Sequence, residues 1–453
     1  MGPRTAIRGF PDVRGSAKDD PGCMTNRHPH RRRTAATWLR ALAACAVAPL
    51  CALATALPAG AAVPPADAAV PAATAASPAR QLTLPVPSGR HHVGAVPLHL
   101  VDRSRPGPWQ PGQKYRELMI TVYYPTTRTT HHPPAPYMLP AAATHFDQVT
   151  ANDYLGMDLP VGRADWAGTV THVATGAPVA AGRSGHLPVV LYSPGLGEPR
   201  TWGTTLAADL AGHGYVVVTV DNTYESPEVQ FPNGTLATMS PPADPDAYVR
   251  KSLAIRVADT SFVLDQLQSL DSGRNPDADG RRLPDGLAGA LDLSEVGMFG
   301  HSMGGTAAAQ AMDADHRIAA GINMDGNLTN IDGSLMPVAQ HGLDRPFLLL
   351  GKDGDTDTGP GWQAFRAHTP GWTRQLTLRG SEHASFTDAE ALLPQLHLPC
   401  SVRTADLGTI SPTTAIRTNE AYVSAYFDHW LRGGSGELLE GPSAKYPDMM
   451  FVN

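Results

Sequence analysis

The chain has 453 residues with 44 glycines, 42 prolines and only 17% charged residues, which excludes a charge-driven disordered chain, a collagen, a coiled coil and an all-helical bundle. Its net charge of −7, from 35 basic and 42 acidic residues, gives no reason to expect nucleic acid as a partner. The length is sufficient for one large α/β domain or for two or three smaller ones.

The charge is unevenly spread. Residues 1–62 hold nine Lys or Arg and three acids, leaving a net −13 for the remainder. Within them, Arg31-Arg32-Arg33 precedes an apolar run at 41–57, interrupted by Pro49, and Ala59-Gly60-Ala61-Ala62 follows it. A basic region, a short apolar region and a small-residue cleavage site together are the pattern of a secretory signal peptide. Export is therefore expected. A membrane-anchored lipoprotein is the alternative, because Leu42-Ala43-Ala44-Cys45 resembles a lipoprotein box. Cys23, Cys45 and Cys51 fall in this part, so Cys400 is expected to be an unpaired thiol in the exported chain. Residues 63–82, rich in Ala and Pro, read as a spacer, and residues 83–453 as a single catalytic domain.

Residues 93–101 and 118–124 read as paired strands. From 187 onward, strands and helices alternate: strands at 188–192, 215–220, 296–299, 318–324, 346–350 and 374–378, and helices at 202–211, 251–270 and 413–431. That alternation predicts an α/β fold, a mostly parallel central sheet with helices on both faces.

Chemistry first shows at Gly300-His301-Ser302-Met303-Gly304. A serine hydroxyl is a poor nucleophile unless it is exposed, near a base and within reach of amide donors. An apolar strand enters this motif and an alanine-rich helix leaves it, the context of a nucleophile elbow, so Ser302 is the candidate nucleophile. His301 is adjacent in sequence but points elsewhere on a sharp turn. In an α/β-hydrolase sheet the acid and then the base follow the serine. Of the later histidines only His383 sits in a loop directly after a strand, which makes it the candidate base. The acid is Asp325, which closes a strand 23 residues after Ser302, or one of Asp353, Asp355 and Asp357 after the next strand. The loop at 193–198, after the first core strand, is expected to supply one oxyanion donor through the Leu196 backbone N–H, and the elbow a second through that of Met303.

The segments at 191–222, 299–305, 321–326 and 378–388, with the upstream stretches 93–109 and 116–125, resemble the platelet-activating-factor acetylhydrolase family of secreted serine esterases, and in particular its actinobacterial lipase-like relatives. The resemblance implies an α/β-hydrolase fold and calcium-independent ester hydrolysis by nucleophile Ser302, base His383 and acid Asp325, with Asp355 held in reserve. It implies the Leu196 and Met303 amides as the oxyanion site. It also implies the activity of a 1-alkyl-2-acetylglycerophosphocholine esterase on short sn-2 acyl phospholipids. A polyester or general short-chain carboxylesterase is the alternative, and an inactive secreted binding module the reading outside enzymes. No cofactor and no metal is expected: the acidic turns at 275–280 and 353–357 lack the closing glutamate of a calcium loop. The expected partner is a small-molecule or lipid ester, contact with a lipid interface is expected to be transient, and the chain is expected to be a monomer.

Overall fold

In a computed structural model, the protein is described over residues 78–180, 185–239, 244–354 and 359–452. The expected signal peptide, most of the spacer, and Asp355 and Asp357 lie outside the described residues. The strands are β1 (Arg80–Thr83), β2 (His92–Asp102), β3 (Arg116–Thr126), β4 (Ala164–Val170), β5 (Val173–Thr175), β6 (Leu187–Ser193), β7 (Val216–Asp221), β8 (Glu228–Gln230), β9 (Leu236–Thr238), β10 (Leu291–His301), β11 (Ile318–Met324), β12 (Phe347–Lys352), β13 (Thr373–Leu378) and β14 (Met449–Val452). The helices that matter most here are α1 (Thr204–Gly212), α2 (Pro245–Asp271), α3 (Met303–Ala314) and α4 (Pro412–Arg432).

Ten strands form one sheet in the order β14-β13-β12-β11-β10-β6-β7-β3-β2-β5. From β13 to β7 every pairing is parallel, and β3 runs antiparallel to both β7 and β2. All six residues of β7 are buried, which is why the continuous apolar run VVVTV forms a strand here: helices cover both faces of the parallel region. One face packs Val263, Leu264 and Leu267 of α2 and Met312 of α3 against β6, β7 and β10. The other packs Leu206 and Leu210 of α1 and Tyr422, Tyr426 and Phe427 of α4 against the same sheet. This is the α/β-hydrolase architecture.

The differences from the sequence reading have local causes. Helix α2 starts six residues before 251 because the Asp244 carboxylate accepts a hydrogen bond from the Ala247 amide (3.1 Å) and Pro245 occupies the first turn. Strand β10 begins at Leu291, its register shifting against β6 between Asp292 and Val296. The last residues assigned to the spacer belong to β1, which pairs in parallel with β4. Strand β14, antiparallel to β13, and the π-helical stretch Phe146–Tyr154 were not anticipated. Cys400 is disulfide-bonded in the full-length chain, whereas the unpaired thiol was expected of the exported chain without residues 1–62.

Candidate active site

The carboxyl ends of β6, β10, β11 and β13 lead into residues 194–198, Ser302, Asp325 and His383 respectively, so four loops distant in sequence meet at one edge of the sheet. Ser302 joins β10 directly to α3 with φ 53° and ψ −125°, an unusual conformation for a residue with a side chain. The turn is held by the Ser302 amide, which donates to the Met324 carbonyl (2.7 Å), and by the amides of Gly305 and Thr306, which donate to the Ser302 carbonyl (2.9 and 3.1 Å). Its glycines are sterically required: a Cβ on Gly304 would lie 1.9 Å from the Ser193 carbonyl oxygen, and one on Gly300 would lie 2.3 Å from the Gly304 carbonyl carbon.

Asp325 also has positive φ (58°), and its amide donates to the Leu350 carbonyl at 2.8 Å. Its fully buried carboxylate accepts the Lys352 amide on Oδ1 (3.0 Å) and meets His383 Nδ1 on Oδ2 at 2.5 Å. With Nδ1 donating to the carboxylate, the His383 tautomer leaves a lone pair on Nε2. Asp353 instead accepts the Gly380 amide at 2.8 Å.

The His383 turn is tied down on several sides. The Ser385 hydroxyl accepts from the Glu382 amide (3.1 Å) and donates to the Leu407 carbonyl (2.9 Å), and Asn419 of α4 donates to the Ser385 carbonyl (2.9 Å). His301, 1% exposed, adds a contact that sequence reasoning missed. Its Nε2 donates to the His383 carbonyl (2.9 Å), its Nδ1 meets Glu198 Oε1 (2.8 Å), and its ring lies 4.4 Å from the His383 ring, centroid to centroid. Burial alone would push the Glu198 carboxyl up, but His301 and the Gly195 amide, which donates to Oε2 at 2.6 Å, hold it below its usual range. No sequence spacing joins His301 to Glu198, 103 residues away.

Leu196 packs against the cluster containing Met303, Ala307 and Leu253, which brings together the loop and the elbow expected to supply the oxyanion donors. In the acidic turn at 275–280, Asp277 is engaged by the His99 amide (2.9 Å) and by the Arg281 side chain.

The family model for platelet-activating factor acetylhydrolase, isoform II, matches residues 76–430. The chain is 29% identical over 284 residues to a probable 1-alkyl-2-acetylglycerophosphocholine esterase of Arthroderma benhamiae, covering 59% of this chain and 66% of that one. It is 24% identical over 332 residues to the platelet-activating factor acetylhydrolase of Canis lupus familiaris, covering 68% of this chain and 69% of the other. Among solved structures, a ferulic acid esterase from Streptomyces cinnamoneus superimposes with a TM-score of 0.65 at 32% identity, covering 83% of this chain and all of that one. The match over most of its length, with the architecture described above, places this chain in the platelet-activating factor acetylhydrolase, isoform II, family of carboxylic ester hydrolases.

Proposed function

We propose that the protein is an exported serine esterase in which Ser302, His383 and Asp325 act as nucleophile, base and acid. The observation that carries this reading is the 2.5 Å contact of Asp325 with His383 Nδ1 beside a serine on a positive-φ elbow. In acylation, Ser302 Oγ attacks the ester carbonyl as its proton passes to His383 Nε2. The tetrahedral oxyanion takes hydrogen bonds from the Leu196 and Met303 amides, and its collapse expels the alcohol, which receives the proton from His383. Water deprotonated by the same imidazole then releases the acid and regenerates Ser302. Asp325 orients the imidazole and stabilises the imidazolium.

Ser302→Ala should lower turnover of p-nitrophenyl butyrate by on the order of 10⁴–10⁶-fold and abolish fluorophosphonate labelling, without shifting the melting temperature. Wild-type rates in the folded variant would overturn the assignment, and a wild-type protein that neither labels nor turns over ester would favour the binding module.

The preferred substrate is a phospholipid with a short sn-2 acyl chain, a reading supported by the family match and the two relatives. The neighbouring feruloyl esterase supports a second reading, an ester of an aromatic acid. A panel of short-acyl and long-acyl phospholipids, feruloyl esters and an aliphatic polyester separates them: the proposal requires the highest kcat/KM on the short-acyl phospholipid. Export is tested by sequencing the N-terminus of protein recovered from the culture medium. A start among residues 59–63 is expected, and retention of the protein in cells would count against it.

A further inference from the structure

A buried guanidinium grips the loop that carries the proposed oxyanion donor. Arg256, in the middle of α2 and 2% exposed, donates from Nη1 to the Ser193 hydroxyl (3.1 Å) and the Pro194 carbonyl, and from Nη2 to the Gly195 carbonyl (3.2 Å). Its Nε donates to Glu225 Oε1 at 2.7 Å, and Glu225 is fully buried. The other side of Gly195 is fixed too, since its amide donates to Glu198. Two buried ionic groups, from elements far apart in sequence, thus converge on one glycine.

The consequence follows from peptide geometry. In a trans peptide the C=O and N–H bonds point in opposite directions, and the described residues contain no cis bond. With the Gly195 carbonyl drawn to Arg256, the Leu196 N–H points away from the guanidinium. The Gly195 carbonyl also accepts the Glu198 amide within the turn, but at a long 3.3 Å, and glycines at 195 and 197 leave that peptide soft, so the guanidinium reinforces its orientation from outside the loop. Burying an ion pair away from water is costly, and a pair that served only to join α2 to the loop could be replaced by apolar packing at no loss.

We propose that Arg256, held by Glu225, is a positioning residue for acyl transfer, fixing the Pro194 and Gly195 carbonyls so that the Leu196 N–H faces the developing oxyanion. The proposal rests on Ser302 being the nucleophile and Leu196 an oxyanion donor.

The test uses Arg256→Gln and Arg256→Lys in the full-length enzyme with p-nitrophenyl butyrate, alongside Ser302→Ala. Loss of one oxyanion donor is worth about 10²–10³-fold in kcat, so Arg256→Gln should lose that much with KM within about threefold of wild type. The pH–rate profile should keep its midpoint, because Asp325 and His383 are untouched. Inhibition by an alkylboronic acid, which mimics the tetrahedral intermediate, should weaken in parallel with kcat/KM. Arg256→Lys, which keeps the charge but lacks the forked donors, should fall between the two. Wild-type kcat in a folded Arg256→Gln, or a loss confined to KM or to a shifted pH midpoint, would overturn the proposal. If Arg256→Gln does not fold, Arg256→Lys decides: wild-type kcat overturns the clamp and a kcat loss at constant KM supports it. Activity surviving in Ser302→Ala would overturn the catalytic assignment itself, whereas an inactive Ser302→Ala beside a fully active Arg256→Gln would overturn only the clamp.

Discussion

Ser302 and Asp325 both sit at positive φ without being glycine, a conformation that costs roughly 1–3 kcal/mol per residue and persists only where surrounding structure imposes it. Here hydrogen bonds impose it, from the Ser302 amide to Met324 and from the Asp325 amide to Leu350, so the two turns brace each other through neighbouring strands. The elbow motif was legible because its glycines answer a steric demand that any such turn makes. At Gly304 that demand is severe, since the atom a Cβ would strike is backbone rather than a movable side chain. Gly304→Ala should therefore either leave the protein insoluble or destabilise it by roughly 1–3 kcal/mol with a large kcat loss, measured by urea denaturation and esterase assay. Wild-type stability and rate would show that the β6 loop can recede. His301 was less legible: its sequence neighbour is Ser302, but its partners are Glu198 and the His383 carbonyl, which only folding brings near.

At the scale of elements, helix α2 shows what periodicity conveys and what it hides. Its apolar spacing announced a helix, and Leu264 and Leu267 do pack on the sheet. The same spacing gave no reason to bury Arg256 or Asp259, yet both are within 2% of complete burial. Asp259 accepts from Arg116 of β3 (Nη2 to Oδ2, 2.6 Å) and from Arg105 (3.0 Å), while Arg116 also donates to the Thr223 carbonyl at 2.8 Å. This fastens the helix to the antiparallel side of the sheet. Asp259→Ala would strand the fully buried Arg116 guanidinium, and the expected loss is roughly 3–5 kcal/mol in chemical denaturation. A loss below about 1 kcal/mol would mean that water or Thr223 satisfies Arg116 without it.

For the whole molecule, pH should act through carboxyls buried behind the His383 turn. Burial, only partly offset by hydrogen bonds from Thr205, raises Asp388 to about 7, and burial raises Glu390 to about 8. Asp388 Oδ1 accepts the Thr205 amide at 2.9 Å, tying the start of α1 to the segment just past His383. A carboxyl whose folded pKa lies above its unfolded value binds more protons when folded. Its stabilisation is full below the unfolded pKa and is lost as pH rises through the folded one. Unfolding free energy should therefore fall from about pH 5 to about pH 8, and Asp388→Asn should flatten that slope in urea titrations. A slope that is unchanged in Asp388→Asn would contradict this account.

The fold class, the strand-helix order, the elbow and the histidine turn were open to sequence reading because they depend on local demands: apolar runs that fill a parallel sheet, glycines that permit a turn, a polar residue after a strand. The choice of carboxylate beside His383 was not local. Asp325 and Asp353 both follow strands of the same sheet, and tertiary geometry brought Asp325 to His383 and Asp353 to the Gly380 amide. The buried Arg256–Glu225 and Glu198–His301 pairs, the edge strand β14 and the partner of Arg116 were likewise decided only by the fold. A charged side chain is buried when a distant element meets it with an opposite charge, and sequence spacing carries no record of that meeting.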